Sequence, residues 1–266
     1  MKYIASSRSL RGPSDNIIER LEYSYGDAFP SISVIFGFTD DNSRLYGGRP
    51  RAYRVTDKDL HDLYDQGIGF DATLTNHVFT EDAYEDTLPL LKRIHRKGNG
   101  VVCTHDELAR RVKEDFPDLT VRASMIKHCN TAEKIDKALQ VYDYVTLPVY
   151  LSDNDILREI SQKERVIIFA NATCAYSCKY HACYEVFSAR IRGEPKGKGY
   201  PCSAKMGELK KPVYQEFDLS SPMYDGYEWF KWVPRNVTKA LRGVKYFPAS
   251  TAVSHSHIPE DSPERV

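Results

Sequence analysis

The sequence predicts a parallel (β/α)8 barrel of the TIM type. Three observations lead there. Short apolar runs alternate with amphipathic helical segments, eight such runs can be counted, and 266 residues suit the roughly 250 that eight strand–helix units need. The rival architecture, an open doubly wound sheet, would carry a glycine-rich G-x-G-x-x-G turn between a strand and a helix at its cofactor site. No such motif occurs.

The strands are expected at 2–6, 31–38, 67–75, 100–104, 120–126, 144–148, 165–170 and 228–233, each a short run rich in β-branched or aromatic residues. Helices are expected between them. Residues 16–25 place Ile17, Ile18, Leu21 and Tyr25 at helical spacing, and 83–97 place Leu88, Leu91, Ile94 and His95 on one face. Asp106 is a candidate N-cap for a helix over 107–112, Thr131 for 132–141, and Asp153 or Asn154 for 155–163. A last helix is expected at 237–242. Two long interruptions, 39–57 and 174–227, fall after strands. In a barrel, strand-to-helix loops stand on the C-terminal face, so both would lie over one mouth. Residues 1–249 thus read as one barrel that includes a cysteine-rich insertion over 174–227. The polar, proline-punctuated stretch 250–266 reads as a disordered tail.

Formal net charge is zero, with 37 basic and 37 acidic residues, which removes any general pull toward nucleic acid but leaves room for a local basic patch. No run approaches the roughly 18 apolar residues of a membrane span. The first residues are too quickly charged for a secretory signal. The chain therefore reads as cytoplasmic, with its thiols reduced, which weighs against disulfides.

Cysteine carries the strongest chemical signal. Cys174, Cys178 and Cys183 fall within ten residues, directly after an apolar strand, and Cys202 follows 19 residues later. Crowded thiolates repel one another unless a cation neutralises them. Ser177, Lys179 and His181 lie among them, so the segment is not core. The C-x3-C-x4-C spacing departs from the paired short spacings usual for zinc. It is compatible with an iron–sulfur cluster, and His181 could replace one ligand in either case. Spacing alone leaves both metals open.

Residues at other strand ends are candidates for a site at the mouth. Asn76 and His77 follow the third strand, His105 the fourth, and Lys127 and His128 the fifth. Asn76, His77, His105 and His128 are the candidate catalytic residues, since imidazole is the usual proton carrier near neutral pH. Arg49, within Tyr46-Gly-Gly-Arg-Pro-Arg51, joins Asn171, Lys231 and Arg235 as candidate substrate contacts; the three cations suit an anionic group. Asn76-His77 also fits a turn with a helix cap, and Arg49 an exposed turn. Cys103 reads as core, and Cys129 is left open.

The stretch Val166-Ile-Ile-Phe-Ala-Asn-Ala-Thr-Cys-Ala-Tyr-Ser-Cys-Lys-Tyr-His-Ala-Cys183 resembles the N-x-x-C-x-x-x-C segment of the collagenase-like peptidase family, peptidase family U thirty-two. Trp229-Phe-Lys-Trp-Val-Pro-Arg235 is similar to that family's later F-K-I-x-G-R strand, although Trp232-Val-Pro stands where Ile-x-Gly is expected. The order also agrees: strand, cysteine cluster, insertion, strand with lysine and arginine. The family includes RNA hydroxylases and ubiquinone-pathway hydroxylation proteins. The resemblance implies a barrel, a [4Fe–4S] cluster held by Cys174, Cys178, Cys183 and Cys202, and oxygen-independent hydroxylation or related redox chemistry on a small molecule or nucleic-acid base. The alternative is a zinc-stabilised barrel that serves as a non-catalytic binding or assembly subunit with a protein partner. A third reading, peptide hydrolysis, rests on the family's name; no Ser/His/Asp order or H-E-x-x-H supports it.

Overall fold

Eight parallel strands close on themselves in the computed structural model of the chain. It describes residues 1–7, 10, 12, 14–41, 43–47, 53–172, 182–194, 213–232 and 253–254. The barrel strands are β1 (Lys2–Ser6), β2 (Ile32–Thr39), β4 (Gly69–Leu74), β5 (Gly100–Cys103), β6 (Thr120–Ala123), β7 (Tyr144–Thr146), β8 (Val166–Phe169) and β11 (Trp229–Trp232). They follow chain order around the barrel, and β1 pairs in parallel with both β2 and β11, which removes every open edge. All eight expected strands are present. The short β3 (Arg54–Val55) extends β2 on the outside. Beyond β8, β9 (Asn171–Ala172) pairs antiparallel with β10 (Val213–Glu216), which in turn pairs with β12 (Val253–Ser254).

The helices form where capping and periodicity agree. Asn16 accepts from the Ile18 and Glu19 amides to start α1 (Ile17–Tyr25). Thr56 and Asp59 form a capping box at α2 (Asp57–Asp65). Thr131 caps α6 (Ala132–Leu139), as expected. Three expectations need correction. The helix over 83–97 is two helices, α3 (Glu81–Glu85) and α4 (Leu88–Ile94), because Pro89 starts a new first turn. Asp106 does not cap α5 (Asp106–Asp115): it is the first helical residue, and its carboxylate meets Lys127 at 2.7 Å instead. The helix over 155–163 shortens to α7 (Ile156–Glu159), with Asn154 accepting from the Ile156 amide. The helix expected at 237–242 lies outside the described residues. The insertion contributes α8 (Ala182–Ile191).

Outward-facing strand residues and the inner faces of the helices make one large apolar shell, including Ile35, Phe70, Val101, Val121, Val145 and Ile168. The barrel interior is separate. Ile4, Val34 and Ile167 form a second small cluster, with Phe36, Tyr144 and Trp229 against it. Strand alternation and the pairing registers stack the inward residues in layers of four from alternate strands. The lowest holds Val34, Gly100, Tyr144 and Trp229. The next holds Ile4, Asp71, Arg122 and Ile167, and above it lie Phe36, Val102, Thr146 and Lys231. An apolar filling thus gives way, halfway up, to an ion pair and a lysine.

Gly100 is what lets that ion pair fit. A β-carbon there would lie 2.2 Å from the Thr120 carbonyl oxygen, 2.6 Å from Arg122 Nη1 and 2.8 Å from Asp71 Oδ1. Gly100→Ala is therefore expected to destabilise the fold by about 1–3 kcal/mol, the usual cost of overpacking. Urea denaturation checks this, and an unchanged midpoint would show that the pair is not packed against the glycine.

Candidate functional site at the barrel mouth and interior

Two groups of polar residues define the site, one inside the barrel and one on its C-terminal rim. Inside, Arg122 Nη1 donates to Asp71 Oδ1 at 2.7 Å, and both residues are buried, 4% and 0% exposed. Among the described residues, the carboxylate's second oxygen and Arg122 Nε have no hydrogen-bond partner. The guanidinium also lies 5.4 Å from the Tyr144 ring and 5.9 Å from that of Trp229. Burial pushes the Asp71 carboxyl up, with Arg122 and Lys231 pulling it back. Lys231, on β11, is buried with its ammonium 3.9 Å from the Phe36 ring centre and 5.9 Å from that of Phe169. Burial pushes this amine down to about 8, against the upward pull of Asp71, and Arg122 adds to the lowering. The Thr73 and Thr146 hydroxyls are also unpartnered. Thr73 is only partly buried, so the polar interior continues toward the open end.

The rim carries the ends of β4, β5 and β6. Asn76 is almost fully buried, and its amide is spent on holding loops together. Nδ2 donates to the carbonyls of Arg44 at 2.9 Å, Tyr46 at 3.1 Å and Ser188 at 3.1 Å, while Oδ1 accepts from the Val78 amide and the Arg192 guanidinium. His77 Nδ1 shares a hydrogen bond of 2.8 Å with Ser188 Oγ. Burial lowers the His77 pKa; Glu185 opposes this, and His105, Arg192 and His128 add to the lowering. His105 and His128 therefore both lie within electrostatic reach of His77. His105, the residue before α5, has a buried Nε2 without a partner among the described residues and lies 6.3 Å from the Phe79 ring. His128 ends a short 3-10 turn in the left-handed region at φ 57°, the one non-glycine residue with positive φ among those described. Burial lowers its pKa as well, with a smaller contribution from Lys134. Lys127 donates to the Thr104 carbonyl and pairs with Asp106, tying β5 to the turn after β6.

The site residues expected from sequence divide into three groups. His77, His105 and His128 are brought to one side of the rim. Asn76 stands among them, directed at backbone rather than at open space. Asn171, in β9, is buried beyond the end of β8, further round the barrel, opposite Glu216 of β10. Lys231 lies within the barrel rather than on a loop. Arg49, Arg235, Cys174, Cys178 and Cys202 lie outside the described residues, as does the Cys183 side chain. Cys183 belongs to α8, which Ser188 and Arg192 fasten onto Asn76 and His77. Cys103 and Cys129 are free and buried, and burial raises both thiols, so neither is a ready thiolate. Among the described residues, no group of three or more His, Cys, Asp or Glu could hold a metal ion. No helix there is long and apolar enough to cross a membrane.

Sequence comparison finds no matching family model and no matching curated protein. Comparison of folds does. The structure of the U32 peptidase Mk0906 superposes with a TM-score of 0.58 at 15% identity, over 88% of this chain and 92% of that one. This chain has a U32-peptidase-like fold. The Legionella pneumophila ChiA C-terminal domain also aligns, at a TM-score of 0.42 and 8% identity over 65% of this chain and 77% of that one. In this U32-like barrel, the sequence missed Asp71, Arg122, Thr73 and Thr146. A signal was available: each is a polar residue flanked on its strand by residues that belong to the apolar shell.

The docking of α8 is testable. Ser188→Ala removes the hydroxyl that meets His77 and is expected to raise amide hydrogen exchange over 182–192 by about tenfold, the equivalent of one lost hydrogen bond. Exchange in the barrel strands should not change. Unchanged exchange in α8 would mean that the Ser188–His77 contact does not hold the helix.

Proposed function

We propose that the protein is an iron–sulfur enzyme that modifies a small molecule or a nucleic-acid base at the C-terminal mouth of its barrel, by oxygen-independent hydroxylation or a related redox step. One observation carries this reading. The helix that contains Cys183 is fastened to the rim through Ser188 and Arg192, beside His77 and within reach of His105 and His128. That helix is therefore anchored next to His77.

The donor set fits such a group by its chemistry. Cys174, Cys178, Cys183 and Cys202 would supply four thiolates. The two other cysteines are withdrawn into the core with raised thiol pKa values. When bound, a cluster of this kind supplies electron transfer. The chain's own residues do the rest. His77 and His128, whose pKa values burial lowers, can exchange a proton at an imidazole nitrogen, and the Nε2 of His105, orphaned among the described residues, is placed to hydrogen-bond a substrate. Below the mouth Arg122 keeps a guanidinium and Lys231 a buried amine. Zinc in place of iron and sulfide remains the second reading of the same four thiols, for a binding or assembly subunit. Peptide hydrolysis is what the structural neighbour's name offers. The Ser188–His77 pair joins a hydroxyl to an imidazole, but Ser188 is 1% exposed and its carbonyl is held by Asn76, which supports a docking contact rather than a nucleophile.

Anaerobic purification followed by iron, zinc and acid-labile sulfide analysis tests the proposal. Brown protein with iron and sulfide is expected, and single serine substitutions at Cys174, Cys178, Cys183 and Cys202 should each lose metal, while Cys103→Ser retains it. Colourless protein with one zinc would overturn the redox reading. Full metal retention in Cys202→Ser would overturn the ligand set.

A further inference from the structure

The barrel interior contains a charge imbalance. Asp71 supplies one carboxylate, and Arg122 and Lys231 supply two potential cations, all three at most 6% exposed. Asp71 and Arg122 are the charged groups among the described residues that act on Lys231. A net charge buried in this way is costly, and a lysine relieves it most readily by shedding its proton, which arginine does not do. The Lys231 amine also makes no hydrogen bond or ion pair among the described residues; the backbone carbonyl accepts from the Ala170 amide. Its neighbours are the ring faces of Phe36 and Phe169, while the unpartnered Thr146 and Thr73 hydroxyls stand on the same and the next layer. Desolvation beside a second cation is the setting that turns a lysine into a nucleophilic amine.

We propose that Lys231 is an imine-forming residue that condenses, inside the upper half of the barrel, with the carbonyl carbon of a small aldehyde or ketone. The lone pair of the neutral amine attacks the carbonyl carbon, a C–N bond forms, and the nitrogen gives up one of its protons as the carbonyl oxygen takes one, which gives the neutral carbinolamine. The C–O bond then breaks and water leaves with a second proton, while the nitrogen lone pair completes the C=N bond. No oxidant or reductant is consumed. Asp71 is the proton carrier for the departing oxygen: Arg122 engages Oδ1 and leaves the buried Oδ2 free to hold a proton. The raised carboxyl pKa supports that role, and the lowered amine pKa supports the attacking form. The iminium cation formed would lie over Phe36, where the ammonium now lies. This proposal does not depend on the iron–sulfur reading, since each step uses groups already within the barrel.

Reductive trapping tests it on the folded full chain. The protein is incubated near neutral pH with propionaldehyde and sodium cyanoborohydride, digested, and each lysine's propyl adduct is followed by mass spectrometry. Lys231 is expected to be modified about tenfold faster than exposed lysines such as Lys92 and Lys137, because a larger fraction of it is neutral. Asp71→Asn should slow modification of Lys231 without slowing that of the exposed lysines. Lys231 reacting no faster than the exposed lysines, or only after unfolding in urea, would overturn the proposal. That measurement needs no substituted protein, so it stands even if a Lys231 variant fails to fold.

Discussion

The ion pair between Asp71 and Arg122 is the constraint around which the rest of the barrel is arranged. A closed parallel barrel is ordinarily filled by layers of apolar side chains. Here the filling is interrupted by a carboxylate and a guanidinium 2.7 Å apart. Neither has water to return to, so each depends on the other, and losing one partner of such a pair costs about 3–5 kcal/mol. The pair bridges β4 to β6 across the glycine on β5 that leaves room for it. It also sets the electrostatics one layer higher, where Lys231 finds one carboxylate already claimed by a stronger base.

The mouth is built on the same economy of polar groups, with a different result. Asn76 gathers three carbonyls from two segments and so joins the loop after β2 and the helix α8 to its own position beyond the end of β4. Around this rigid scaffolding His105 keeps a ring nitrogen with no partner among the described residues, His128 occupies a backbone region that few non-glycine residues adopt, and burial lowers the His77 pKa. Unsatisfied buried groups are costly, and they concentrate where a protein handles ligands. The interior orphans on Asp71, Thr73, Arg122 and Thr146 lie from the middle of the barrel upward, and the orphan on His105 lies at its C-terminal rim.

The strands were legible in the sequence because closure makes each one apolar on its outer face, and short β-branched runs between turn residues survive any detail of register. Helix ends were less legible. Asp106 looks like a cap by residue type, but His105 takes the extended cap conformation at φ −94° and ψ 128°, and Lys127, distant in sequence, claims the carboxylate. Tertiary pairing outweighed local preference. Lys231 was visible as a charge near a strand end, but not as a residue inside the barrel, since its direction depends on the phase of β11. Asp71 and Arg122 were passed over because a lone charge in an apolar run reads as the solvent side of a strand. Both faces of a parallel barrel strand are covered, so in this fold class an isolated charge flanked by Phe70 and Ala72, or by Val121 and Ala123, points inward.

The central physical claim is that the buried pair leaves Lys231 with a depressed proton affinity. A pH titration of the lysine side chains, followed by two-dimensional NMR of protein carrying carbon-13 at the lysine ε positions, measures it directly, with Lys231→Met identifying the resonance. One lysine titrating at about 8, and missing from the variant, is the predicted result. A Lys231 resonance that titrates with the exposed lysines, at the ordinary value of 10.5, would contradict the account.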